Sequence, residues 1–322
     1  MDLFFPVSGV HTNLLIPPLV AMVISFFTSM GGISGAFLLL PFQMSVLNYT
    51  APSVSGTNHV FNIVAIPSGV WRYIREGRMA WPLTWVVIAG TLPGVFLGYY
   101  VRVVYLPDPR AFKFFVGLVL LYIGLRLLRD CLVRKKASSP AKKTLDEKFR
   151  ARTEEMRTQQ HRALASGLPR DAVVKTISVT FTKVEYEFWG ERFSFSTVGM
   201  LGVAGLVGII GGAYGIGGGS IIAPFCVAVF RLPVYTIAGA ALTATFVTSL
   251  AGALFFTLLP SAGAVPAMPD WPLGALFGLG GFVGMYFGAK FQKFVPQGLI
   301  KLMLGAAIIF VAGRYILQFL LK

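Results

Sequence analysis

Apolar stretches of membrane-helix length fill most of this chain, and the same arrangement of them is written twice around a polar middle. A full span needs about 20 apolar residues. The first half offers runs at 14–31, 34–47, 53–72, 81–104 and 111–130, and the second at 197–213, 218–230, 234–258, 271–290 and 298–320. Landmarks recur in register. Pro41, Gly56 and Gly69 are spaced as Pro224, Gly239 and Gly252 are. Trp81-Pro82, Gly90, Gly94 and Gly98 return as Trp271-Pro272, Gly280, Gly284 and Gly288, and Lys113, Gly117 and Arg126 as Lys301, Gly305 and Arg314. The pattern predicts an all-α membrane protein built as two inverted repeats of five hydrophobic segments, the architecture of many secondary transporters. The second run of each set is short and begins at a glycine cluster, Gly31 to Gly35 in one copy and Gly215 to Ser220 in the other. Such runs read as discontinuous helices, which survive at membrane depth only where they line a cavity or are buried in protein.

The halves, 1–131 and 197–322, flank an insertion at 132–196. Lys142 to Leu164 is polar and rich in Glu, Arg and Gln, which predicts a surface helix. Val173 to Phe195 alternates with a period of two, and Trp189-Gly190-Glu191-Arg192 has the composition of a hairpin turn. The insertion is either a tether between the halves or a regulatory or dimerising module. A homodimer is compatible with the sequence.

Composition sharpens the membrane reading. Of 322 residues 55% are hydrophobic and 13% charged, with a mean hydropathy of +0.72. Soluble chains carry about 25% charged residues. Outside 126–192 only Asp2, Glu76, Asp108 and Asp270 are acidic. The net charge of +15 does not point to nucleic acid, because basic residues outside the insertion sit at the ends of apolar runs, where lipid headgroups favour them. Cys131 and Cys226 lie in dissimilar surroundings, which argues against a disulfide. Met1 to Asn13 has no basic leader and no small-residue cleavage site, so the first run is expected to stay as a membrane helix. Arg72, Arg75 and Arg78 follow the third run and a basic cluster follows the fifth, which predicts an outer N-terminus and a cytoplasmic insertion.

The glycine clusters have no Gly-Lys-Ser/Thr continuation, so they are not a nucleotide loop. They either permit close helix packing or start helices whose free N–H groups and positive dipole ends face an anion. The second alternative assigns donors to Gly35, Gly218, Gly219 and Ser220. Asn58 and Asn62 stand one helical turn apart and share a face, and Thr245 and Thr248 answer them from the other half. These neutral donors can hold an oxyanion or simply bond neighbouring helices. A bulky residue at Gly219 is expected to block the site without unfolding the chain. His59, the only histidine inside an apolar run, is either a proton carrier or a neutral donor to backbone. No Asp or Glu lies deep in a run, which argues against a carboxylate-based cation antiporter and a divalent-metal permease. No catalytic motif appears, and neither an enzyme nor a cofactor is expected.

The paired Gly-rich segments, each leading to Pro-Phe (Pro41-Phe42 and Pro224-Phe225), together with Ala-Gly-Ala-Ala-Leu-Thr-Ala-Thr-Phe-Val-Thr-Ser at 238–249, resemble the sulfite exporter TauE/SafE family, the toluene sulfonate uptake permease group. The resemblance covers about 14–131 and 197–322, and implies transport of sulfur-containing anions across the bacterial inner membrane. Two features depart from it: Ile33-Ser34-Gly35-Ala36 is poorer in glycine than its counterpart, and Thr57-Asn58-His59 stands where Thr-Ser-Leu is expected. The resulting expectation is a secondary transporter of sulfite, a sulfonate or another sulfur-containing organic anion, with the lipid bilayer as its surroundings. A passive anion channel and a scaffold or sensor acting through the insertion are the alternatives. Single-cysteine labelling at Ser138 tests the orientation: an impermeant reagent added outside intact cells is expected to give no signal, and efficient labelling would invert the topology.

Overall fold

The computed structural model describes residues 2–30, 33–75, 77–132, 173–259, 267–291 and 297–321. The predicted helix Lys142–Leu164 and glycines Gly31 and Gly32 fall outside the described residues. The first half carries α1 (Ile16–Met30), α2 (Ala36–Ser45), α3 (Ser53–Arg75), α4 (Trp81–Tyr100) with a π turn at Val101–Tyr105, and α5 (Pro109–Leu132). The second carries α6 (Thr197–Tyr214), α7 (Ile222–Ala228), α8 (Val234–Leu258), α9 (Trp271–Phe291) and α10 (Gln297–Leu320).

Among the described residues, Trp81–Tyr105, α6, Thr236–Leu258 and α9 are long and apolar enough to cross a membrane. Polarity is turned inside out. Leu19, Val23 and Phe27 line an exposed stripe on α1, whereas Ser53, Ser55, Thr57, Asn58, His59 and Asn62 of α3 are fully buried. These side chains lower the hydropathy of α3, yet it lies innermost, packed on both α8 and α9.

The halves interlock through glycine. A Cβ added at Gly90, Gly94 or Gly98 of α4 would run into the carbonyl oxygens of Leu201, Gly205 and Ile209 of α6 in turn. The matching triplet on α9, Gly280, Gly284 and Gly288, meets the carbonyls of Pro18, Met22 and Phe26 on α1 in the same way. Each triplet is a strip without side chains, four residues per step, that lets two backbones touch. Both pairs run parallel. By contrast α3 and α8 run antiparallel: Gly252 faces His59, Gly69 faces Leu242 and Gly239 faces Tyr73. α5 and α10 are also antiparallel, with Gly117 against Tyr315 and Gly124 against Ile308.

The two short helices end alike. Asn48 and Arg231 adopt left-handed conformations, φ 55° and 57°. The next N–H groups, Tyr49 and Leu232, return to the Gln43 and Cys226 carbonyls at 2.9 and 3.1 Å, a Schellman-type closure. Their starts differ. α2 begins next to Gly35, close to the sequence expectation, but α7 begins at Ile222 rather than at residue 218. Gly215 and Gly217 have φ of 85° and 78°, so the chain reverses through a left-handed loop before it can wind.

Two β elements complete the fold. β1 (Asp2–Phe5) and β2 (Val10–Asn13) form an N-terminal hairpin that the sequence did not announce. The alternating stretch of the insertion makes three antiparallel strands where one hairpin was expected: β3 (Val174–Val179), β4 (Lys183–Phe188) and β5 (Glu191–Ser196). Trp189 and Gly190, φ 52° and 79°, make the β4–β5 turn. Val184, Tyr186, Phe188, Phe193 and Phe195 form a buried inner face. The sheet is docked on the helices: Tyr186 Oη is 2.8 Å from Thr236 Oγ1 at the start of α8, Val174 N–H donates to the Gly77 carbonyl at 3.0 Å, and Phe195 meets Phe230 edge-on.

The glycine strips make a direct prediction. Gly94→Val and Gly284→Val force a side chain into backbone and are expected to cost about 1–3 kcal/mol each, read as a lower unfolding midpoint in detergent. Gly202→Val, where nothing lies within 4 Å, should leave the midpoint unchanged.

Candidate functional site

α3 places its amides at the two chain breaks. Asn62 Oδ1 accepts from Ser34 Oγ at 2.5 Å, one residue before Gly35. Asn62 Nδ2 donates to the Ile216 carbonyl, inside the second break, at 3.0 Å and to Ser249 Oγ of α8 at 3.1 Å. One side chain thus joins both breaks and the opposite half. The same Ile216 carbonyl accepts from Ser220 Oγ at 2.7 Å, and Ser220 Oγ lies 3.3 Å from Thr245 Oγ1. Gly218 N–H donates to Thr248 Oγ1 at 3.1 Å. Thr245 and Thr248 each donate to the carbonyl four residues back, Ala241 at 2.7 Å and Ala244 at 2.6 Å. Every residue in this network is buried and uncharged.

The sequence-predicted residues divide accordingly. Asn62, Gly218, Ser220, Thr245 and Thr248 share this network. Asn58 is turned to α2, where its Oδ1 accepts from Gln43 Nε2 at 2.9 Å and its Nδ2 donates to the Ala36 carbonyl at 3.3 Å. Gly35 is a packing position: a Cβ there would strike Ser25 Oγ of α1 and reach the Phe61 ring at 3.1 Å. Gly219 is too, since a Cβ there would meet the Ala241 carbonyl and lie 2.6 Å from the Thr245 nitrogen. A bulky residue at Gly219 therefore cannot merely fill a site, as the sequence suggested. It would push α8 away.

His59 faces the other way, against Gly252 and 6.0 Å from the Phe256 ring centroid. It is fully buried, and neither ring nitrogen makes a hydrogen bond of ordinary geometry, although the Gly212 backbone is within electrostatic reach.

A second polar cluster lies at the start of α3. Arg102 sits on the π turn and is fully buried, contrary to the expectation that basic residues at run ends reach headgroups. Its hydrogen-bond partners are neutral: Ser55 Oγ at 3.3 Å and the Thr50 and Leu106 carbonyls. Its guanidinium also stacks 3.6 Å from the Phe112 ring centroid. Ser55 Oγ in turn donates to the Ala213 carbonyl at 3.0 Å, just before the second break. Thr57 Oγ1 is 2.9 Å from Tyr49 Oη and accepts from Asp270 N–H at 2.9 Å. Asp270 caps α9 through Leu273 N–H at 3.1 Å and accepts from Ser8 N–H at 3.1 Å, which pins the N-terminal hairpin. Sequence reasoning passed over Gln43 and Arg102. The available signal was a polar residue within an otherwise apolar run, at 34–47 and 81–104.

Residues 18–315 match the family model described as Sulfite exporter TauE/SafE. The chain belongs to the TauE/SafE family. Both breaks and the whole of the network on α3 and α8 fall inside the match. The chain is also 35% identical over 123 residues to the "Probable membrane transporter protein YdhB" of Bacillus subtilis (strain 168), an alignment covering 36% of this chain and 45% of that protein. The matched part thus spans less than half of the curated relative. No solved structure matches. TauE/SafE is a membrane transporter family, and the apolar helices of this member suit a multi-pass membrane protein.

Asn62→Ala removes three hydrogen bonds at the junction of the breaks and leaves buried polar groups without partners. It is expected to cost about 1–3 kcal/mol, measured by thermal unfolding in detergent. Thr243→Ala, at a half-buried residue that bonds the Gly239 carbonyl of its own helix, should change stability by a few tenths of that.

Proposed function

We propose that this TauE/SafE member is a secondary transporter that moves a small anion across the cytoplasmic membrane by alternating access, with no enzymatic step. The observation that carries the proposal is the Asn62 junction, where one amide bonds Ser34 and Ile216 in the two breaks and Ser249 in the opposite half. A bond from Asn62 to a charged oxygen contributes about 1.5–3 kcal/mol, against about 0.5–1.5 for a neutral carbonyl. An arriving oxyanion therefore competes favourably for donors that now hold the halves together. Exchange of those bonds is the step that would loosen one half against the other. Arg102, buried and paired with neutral groups, adds positive potential near the second break through Ser55 and Ala213.

Two inverted repeats are supported by helix directions. α3 and α8 occupy matching places and run antiparallel, as do α5 and α10, while the crossed pairs α1–α9 and α4–α6 run parallel. Exchanging the halves maps this set of pairs onto itself. The outer N-terminus and the cytoplasmic position of the insertion rest on the basic clusters after α3 and α5. Sulfite is the substrate that the family description names, and a sulfonate or another sulfur-containing organic anion is the wider class that the sequence resemblance implies. The binding residues assigned are Asn62, Thr245, Thr248, Ser220 and the N–H of Gly218, with Gly35, Asn58 and Gly219 holding their backbones in place. His59 is the assigned proton-coupling group, since it is the one histidine within an apolar run and lies fully buried between α3 and α8, against Gly252.

Proteoliposome transport tests the proposal. Labelled sulfite or sulfonate should exchange against the same unlabelled anion inside, which a passive channel does not accelerate. Normalised to folded protein, Asn62→Ala should raise the half-saturating concentration roughly tenfold, the equivalent of about 1.4 kcal/mol. His59→Gln should abolish acceleration by a pH gradient while leaving exchange intact. Full pH-driven uptake in that variant would remove His59 from the coupling.

A further inference from the structure

Among the described residues, one rim of the docked sheet is uncovered. Its inner face is turned to the helices, with Tyr186 against Thr236 and Phe195 against Phe230. β3 is an edge strand, and Val179 stands opposite the buried Val184 on that same side. Yet Val179 is 61% exposed, Ile177, at a bulge, 43%, and Phe181, in the β3–β4 turn, 86%. Phe181 is the most exposed large apolar side chain among the described residues.

Its depth is set by its neighbours. Thr180 accepts through its carbonyl from Thr197 Oγ1 at 3.1 Å, and the Thr182 carbonyl accepts from Thr197 N–H at 3.1 Å. Phe181 is therefore held within one residue of the first residue of α6. The next residue, Val198, already belongs to an exposed stripe, Val198, Gly202 and Leu206, of a helix long and apolar enough to cross a membrane. Phe181 thus lies beside the N-terminal end of that stripe, and a span that enters the bilayer there would put the rim where headgroups meet acyl chains. Aromatic and aliphatic side chains are favoured at that boundary.

We infer that Ile177, Val179 and Phe181 are inserted into the phospholipid interface of the leaflet that receives the N-terminal end of α6. The sheet is then an anchored clamp. It grips the bilayer at its rim, and grips the α3–α4 turn through Gly77 and the start of α8 through Thr236. The inference requires a membrane protein but no particular substrate, so it stands or falls apart from the transport proposal.

The test uses the full chain with Phe181→Cys, Cys131→Ser and the buried Cys226 retained, labelled with an environment-sensitive fluorophore in lipid nanodiscs. Ser194→Cys, on the exposed outer face of β5, is the control. Shallow doxyl-labelled phospholipids are expected to quench the label at position 181 at least several-fold more than the control, and aqueous iodide several-fold less. Equal iodide quenching at both positions, with no doxyl quenching, would overturn the inference. Protection from both quenchers would also overturn it, by showing that protein covers the rim. If that protection vanished at one copy per nanodisc, the cover would be a second copy; if it persisted, the cover would be the chain's own residues 133–172.

Discussion

The fold is organised by the need to satisfy backbone broken inside an apolar interior. A helix bonds its own peptide groups, and an interrupted helix exposes carbonyls and N–H groups that hydrocarbon cannot solvate. Here both interruptions are answered from α3 and α8. Asn62 takes the Ile216 carbonyl of the second break and the Ser34 hydroxyl of the first, Asn58 takes the Ala36 carbonyl, and Thr248 accepts the Gly218 N–H. That demand explains why the most polar helix of the helical body is also the innermost. It explains as well why the breaks and the amides are found together: neither is tolerable without the other. The same groups concentrate neutral hydrogen bonding between the two breaks, which is why the site of support and the site of binding coincide in the proposed mechanism.

The glycine strips do different work. Along α4–α6 and α1–α9 the backbones touch, with only small side chains such as Ala204 and Ser29 in the seams. Such seams are stiff, because a contact between main chains has no rotamer through which to relax. Between the seams, α3 and α8 meet through side chains, Tyr73, Leu242 and His59 facing glycines. Relative movement is easier there. The architecture thus pairs two rigid seams with a softer antiparallel centre, and the Asn62 junction lies in that centre.

Much of this was legible in the sequence, and the failures have identifiable causes. Helix limits followed apolar runs because membrane helices are apolar on most of their surface, so α8, at 234–258, matches its run residue for residue. The glycine triplets at steps of four were visible, although their role as parallel seams emerged only from the carbonyls they face. Asn62 was identifiable because a lone amide in hydrocarbon needs a partner. Arg102 was passed over because it stands near the end of a run, where a snorkelling residue and a buried one look the same in sequence. The start of α7 was misplaced since glycine composition does not say which residues take positive φ. The β1–β2 hairpin has short strands with little alternation, and it is held by Asp270, 262 residues away from Ser8, a contact no local pattern encodes.

The two halves agree in sequence landmarks and in how their short helices end, and differ in chemistry. In the register that aligns Pro41 with Pro224, Asn58 falls on Ala241, His59 on Leu242, Asn62 on Thr245 and Gln43 on Cys226. The Asn48 and Arg231 closures show how closely the backbones agree despite these exchanges. The halves therefore do not offer equal chemistry. The first half supplies amides and an imidazole, each able to donate and accept. The second supplies small hydroxyls bound to their own helix and glycines that open room for the opposing chain. Gly252 accommodates His59, whereas its counterpart Gly69 accommodates only Leu242. A symmetric pair of sites would leave an anion equally held by both halves. The observed division places the amide donors on α3, so in the proposed mechanism the halves would contribute unequally to a bound oxyanion, and the inward and outward states of such a carrier would be related in shape but not equal in energy.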